Sequence, residues 1–137
     1  MAKIRMAEGQ IGEKFEGGSK TITEEELDRF CQTANLGLEV FLKDEAAMAM
    51  GFKRRVVPGG FLFSLVFGLL GDLLDGHIHV GTEKLKVVAP VHPDDTVKVD
   101  AEIVNKKISS KGDKVFVTWG WKLRNQDEVV VIQGENT

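Results

Sequence analysis

The residues whose types could support chemistry cluster around "RRVVPGGFLFSLVFGLL", Arg54 to Leu70. Pro58 carries no N–H, and Gly59 and Gly60 carry no side chains, so a bare turn leads into an apolar run. A helix N-terminus presents unpaired N–H groups and a partial positive charge to whatever lies in front of it. The same tripeptide also reads as a plain tight turn. Arg54 and Arg55 precede it, as phosphate contacts or as solvated charge. Ser64 lacks the G-x-S-x-G elbow of a hydrolase nucleophile. His77 and His79 have the i, i+2 spacing of a shared metal on a strand, but no Cys or third His accompanies them. They read as exposed strand-edge side chains, and no metal or cofactor is expected. His92 falls in the turn "PVHPDD".

These residues must be positioned by two kinds of element. "TITEEELDRFCQTAN" predicts a helix capped by Thr23, with Glu26 reaching back as a capping box, and Leu27, Phe30 and Cys31 on one face. Asn35 and Gly37 stop it, and the Ala- and Met-rich Asp44 to Met50 predicts a second helix. Pro58 suits the first turn of a third. Its body, Phe61 to Leu74, is apolar on nearly every face and must be wrapped. Gly68 and Gly71 are read as points of close approach. The second half of the chain supplies the wrapper. Val97, Val99, Ala101 and Ile103 alternate with polar residues, and Val115, Val117, Trp119, Trp121 and Leu123 form another one-sided stripe. The two tryptophans read as core or dimer surface. Residues 82–91 and 128–134 complete the strands, with turns at "HPDD", "SSKGD" and "NQDE". The economical arrangement is α+β, one domain over 1–137, with a curved antiparallel sheet around a long central helix.

Composition bounds the partners. The formal net charge is −3 and 28% of residues are charged, with no basic stripe, so neither nucleic acid nor an anionic membrane is an expected partner. The lone Cys31 cannot close an internal disulfide and reads as a small buried hydrophobe. "MAKIRMAEGQ" has no apolar core, and the run from Phe61 to Leu74 is too short to span a bilayer. A soluble, cytoplasmic protein is the expectation.

This order of segments resembles the hot-dog fold of MaoC-like acyl dehydratases and (R)-specific enoyl-CoA hydratases. "GEKFEGGSKTITEEELDRFCQTAN" resembles their opening strand and helix, and "GFKRRVVPGGFLFSLVFGLLGDLL" the start of their central helix. "GTEKLKVVAPVHPDDTVKVDAEIV" is similar to their "PV.PGDT" strand pair, and "NQDEVVVIQG" to their closing "NQ.G..V..G". The resemblance implies that an acyl-CoA or acyl-carrier thioester docks at the turn before the central helix. There the N–H groups of Gly59 and Gly60 would stabilise an enolate. Phe41, Val57, Pro58, Gly59, Gly60 and Phe61 are the implied substrate-binding residues. It also implies paired protomers with sites at their interface: a homodimer, or a dimer of dimers.

One part of the family pattern is missing. The aspartate of "D.NP.H.D" maps onto Leu36 and its histidine onto Phe41, while the histidine before the helix glycine maps onto Pro58. None of these side chains moves a proton, and a positioned acid or base contributes about 10²–10⁴-fold. Glu39 and Asp44 are the substitute candidates for a base; Asp44 otherwise caps the second helix and Glu39 is solvated. Three readings follow. The chain is nominally an enoyl-thioester hydratase or dehydratase without the usual dyad. Alternatively it is a non-catalytic thioester-binding subunit or lipid sensor, paired with a dyad-bearing chain. The third reading is a hot-dog thioesterase.

Overall fold

Alternation in the second half of the chain becomes a sheet whose buried side faces one helix. The computed structural model describes residues 5–137. Its helices are α1 (Glu24–Thr33), α2 (Asp44–Ala49) and α3 (Gly59–Leu70), with a 3₁₀ turn at Glu39–Phe41 between the first two. Its strands are β1 (Lys14–Thr21), β2 (Thr82–Val87), β3 (Thr96–Ile108), β4 (Val115–Arg124) and β5 (Val130–Asn136). They form one antiparallel sheet in the order β1-β3-β4-β5-β2. The expected α+β arrangement of a sheet around a central helix is present.

The sheet bends where glycine lets it. β1 slips register against β3 between Glu16 and Ser19, and there Gly17 passes directly over α3. A Cβ on Gly17 would overlap Val99 Cγ1 and lie 2.8 Å from the Leu69 carbonyl oxygen. The close approach is thus in β1. Gly68 and Gly71, read from sequence as contact points, have open space around them.

The core is the contact of that sheet with α3. Leu62, Val66 and Leu70 are buried against Val97, Val99, Ile103, Trp119, Trp121 and Leu123. Phe63 meets Trp121 with ring centroids 5.7 Å apart and Phe67 meets Trp119 at 6.0 Å, so both tryptophans are core. Each such buried side chain contributes about 1.5–3 kcal/mol, against about 0–1 kcal/mol for an exposed ion pair. Helix–sheet packing therefore holds the fold, and the surface ion pairs do not.

Several expectations need correction. The apolar run from Phe61 to Leu74 is two elements, because Gly71 adopts φ 53° and the chain continues as a 3₁₀ turn, Gly71–Leu74. Pro58 stands one position before the helix, as its N-cap in extended geometry, and α3 is not wrapped all round: Gly60, Ser64 and Gly68 are exposed. Ser64 Oγ donates to the Gly60 carbonyl at 3.0 Å. The β4 stripe begins at Val117; Val115 is exposed because the hairpin tip runs beyond the helix. Asp44 is not the cap of α2, whose N-cap is Lys43. His77 and His79 lie in the connection before β2, not on a strand. His79 Nε2 pairs with Thr82 Oγ1 at 2.7 Å, and burial pushes the half-buried His77 below the ordinary histidine value.

Candidate functional site

A cleft of about 390 Å³ opens at the N-terminus of α3. Three stretches of chain wall it. Val40 and Phe41 come from the 3₁₀ turn, Val56 and Val57 from the approach to α3, Gly59 and Leu62 from its first turn, and Val87 to Val91 from the end of β2 and beyond; Met50 and Phe52 complete it. None of these residues titrates, so the cleft is an apolar slot of the size that takes a small-molecule tail.

Its polar feature is backbone. Among the described residues no acceptor takes the N–H of Gly59 or Gly60, while the next two, from Phe61 and Leu62, go to the Pro58 carbonyl at 3.0 and 3.2 Å. No side chain caps α3, and no acidic residue sits in its first turn to offset the positive end of its dipole. Gly59 passes so close to the β2 end that a Cβ would lie 3.2 Å from Val87 Cγ2. Glycine is what lets the helix start and the β2 wall meet here.

The sequence-derived candidates divide. Phe41, Val57 and Gly59 line the cleft. Pro58 is buried behind it as the N-cap, Phe61 packs on Phe30 with ring centroids 4.8 Å apart, and Gly60 is exposed beside the cleft rather than in it. Neither Glu39 nor Asp44 is a lining residue. Glu39 is exposed and 3.4 Å from Lys43 Nζ; Asp44 Oδ1 accepts the backbone N–H of Arg55 at 2.9 Å. Leu36 is half-buried against the core, its N–H on the Cys31 carbonyl at 2.8 Å.

Sequence reasoning missed the wall from Val87 to Pro90. It is brought in by the antiparallel pairing of β2 with β5, a contact some fifty residues distant along the chain. The apolar "VVAP", read from sequence as part of a strand over 82–91, was its only local signal; β2 ends at Val87. It also misread the arginines. Arg54 pairs with Glu24 at 2.6 Å and Asp94 at 3.3 Å, tying α1 to the turn before β3. Arg55 is buried, donating from Nε to the Phe41 carbonyl at 3.1 Å and from Nη2 to Asp28. Neither is a free phosphate contact. Nearby, burial pushes the Cys31 thiol up, with the charges of Arg55 and Asp28 acting in opposite directions.

A larger concavity, about 510 Å³, covers the sheet face over Gly120. Its Lys84 and Glu135 pair at 3.2 Å, and Arg124 and Asp100 at 3.8 Å, across neighbouring strands. It is the solvated side of the sheet. Among the described residues no group of three His, Cys, Asp or Glu side chains could hold a metal, and no helix is long and apolar enough to cross a membrane.

The sequence model of the FAS1-like dehydratase domain region matches residues 9–133. This chain belongs to that family. No curated protein matches it. Among solved structures, the (R)-hydratase from A. caviae involved in PHA biosynthesis is 27% identical, with a TM-score of 0.77 over 93% of this chain and 94% of that one. A MaoC-like dehydratase from Rhodospirillum rubrum is 22% identical, with a TM-score of 0.86 over 98% and 94%. The HadBC (3R-hydroxyacyl-ACP dehydratase) complex from Mycobacterium tuberculosis is 18% identical, with a TM-score of 0.79 over 98% and 96%. The hot-dog fold implied by the sequence resemblance is the fold these structures share with it.

Proposed function

We propose that this dehydratase-family chain binds acyl-thioesters, from CoA or a carrier protein, without a proton-handling pair of its own. The carrying observation is that the apolar cleft ends at Gly59, whose N–H is unclaimed with that of Gly60 beside it, while none of its lining residues titrates. An acyl chain would lie in the slot with its thioester carbonyl turned toward the helix N-terminus. Those N–H groups stabilise charge on the thioester oxygen as an enolate forms. The acid and base that add or remove water would come from elsewhere.

A second chain is the natural source. β2 is an edge strand whose Leu85, Val87 and adjoining Val88 are exposed, and its end is also a cleft wall. Whatever pairs along that edge completes the site. A homodimer would leave the proton transfer unsupplied, whereas a dyad-bearing hot-dog partner would supply it. The HadBC complex is a relative in fold described as a complex.

The test is hydration of crotonyl-CoA, followed by loss of enoyl absorbance, with free-thiol release and acyl-CoA binding recorded in parallel. The expected result is binding without turnover in either channel. Hydration abolished by Glu39→Ala or Asp44→Ala would replace this reading with an enzyme that has moved its base. Thiol release alone would make it a thioesterase.

A further inference from the structure

We infer that Arg55 is a positioning residue that sets the width of the cleft and thereby its selectivity for acyl-chain length. The inference rests on the thioester-binding reading above.

The 3₁₀ turn that carries Val40 and Phe41 is a short surface segment, and such segments open at low free energy unless they are tied down. Among the described residues, two hydrogen bonds reach residues 38–42 from beyond the α1–α2 connection. The Val56 N–H donates to the Val40 carbonyl at 3.1 Å, and Arg55 Nε donates to the Phe41 carbonyl at 3.1 Å. Both ties come from adjacent residues. The next residue, Val57, donates its N–H to the Val91 carbonyl at 2.7 Å on the opposite wall. The strand of chain from Arg55 to Val57 is therefore the spacer between the two walls of the slot.

Arg55 is itself fixed from every side. Its N–H is held by Asp44 at 2.9 Å, its carbonyl accepts from His92 Nδ1 at 3.1 Å, and its Nη2 is paired with Asp28. A buried guanidinium is costly unless it is paired, so such a group stays where it satisfies several acceptors at once. The planar fork of arginine reaches a carbonyl and a carboxylate in one geometry; the single ammonium of lysine does not. Losing the Nε bond leaves the Phe41 wall on one tie, free to move outward when a longer chain enters.

The experiment compares wild type with Arg55→Lys and, at the half-exposed end of the pair, Asp28→Asn. Affinities are measured for butyryl-, hexanoyl-, octanoyl- and decanoyl-CoA, and amide hydrogen exchange is followed without ligand. Wild type is expected to weaken by roughly tenfold per methylene beyond its preferred length, the lower end of what one methylene costs in a fitted pocket. Arg55→Lys should flatten that series to about twofold or less, and Asp28→Asn should do so partially. The Leu42 and Val56 amides should exchange about tenfold faster, with those of Val66 and Leu70 unchanged. Should Arg55→Lys not fold, Asp28→Asn carries the comparison. An unaltered chain-length series in a folded variant overturns the inference, whatever the exchange shows. A wild type that binds no acyl-CoA overturns the thioester reading and the selectivity with it, while exchange still reports whether Arg55 holds the wall.

Discussion

Gly59 and Val87 stand where the first residue of the central helix meets the end of the edge strand, so close that a Cβ on Gly59 would lie 3.2 Å from Val87 Cγ2. The glycine belongs to the helix start with the unclaimed N–H, and the valine to the apolar wall. Their contact defines the mouth of the slot. Val87 is exposed on an edge strand, so it can shift by a few tenths of an ångström. Gly59→Ala is accordingly expected to change unfolding free energy by less than about 1 kcal/mol, since alanine also favours helix. Acyl-CoA affinity should fall by about tenfold, because the added methyl narrows the mouth. Urea denaturation and calorimetric binding on the same preparation separate the two effects.

Gly17 should behave in the opposite way. A Cβ there would overlap Val99 and press on the Leu69 carbonyl oxygen at 2.8 Å, and a backbone atom cannot swing aside. Gly17→Ala should destabilise by about 1–3 kcal/mol, the usual range for overpacking. An unchanged urea midpoint would show that β1 does not press on α3 as described.

The Lys20–Glu26 pair beside the capping box predicts an acid limb to stability. Glu26 is held below the ordinary carboxylate range chiefly by its bond with Lys20, aided by the Thr23 N–H, against a smaller opposing effect of burial. A carboxylate lowered in the folded state stabilises above its unfolded pKa, and that contribution is lost as pH falls through the lowered value. Glu26→Gln should cost about 0.5 kcal/mol at pH 7, discounted because the pair is partly exposed. As the pH is taken below that lowered value, wild type and variant should converge. Thermal melts across that range test it; a constant offset throughout would assign the effect to packing.

Cys31 should be silent in the folded protein. It is 2% exposed, and burial raises its thiol above the ordinary value, which disfavours the reactive thiolate. Modification by a disulfide reagent should run at least about a hundredfold slower in the native state than in urea. A fast native reaction would mean that α1 opens from the core.

How much was legible in the sequence follows from the range over which each signal acts. The box of Thr23 and Glu26 could be read directly because both residues lie within one helical turn, and the structure has both of its hydrogen bonds. The alternation through Val97 to Ile103 was equally readable, since a strand with one buried face must repeat every second residue. The break at Gly71 was not: an apolar run reads as one helix until a positive φ shows where it ends. Arg55 misled for a related reason. Two consecutive arginines before a helix have the local look of surface charge, and only Asp28, Phe41, Asp44 and His92 converging from four segments bury one of them.

The sequence by itself determined the class of fold, the helix start at Pro58-Gly59-Gly60 and the apolar character of the central run. These follow from local periodicity, from backbone freedom and from residue identity, none of which needs a distant neighbour. Tertiary structure alone decided that residues 87–91 face Phe41 across the helix start, and that Arg55 rather than solvent holds that wall. A cleft is a relation among segments far apart in the chain. Its width depends on hydrogen bonds whose two ends carry no sequence signal until the sheet has closed over the helix.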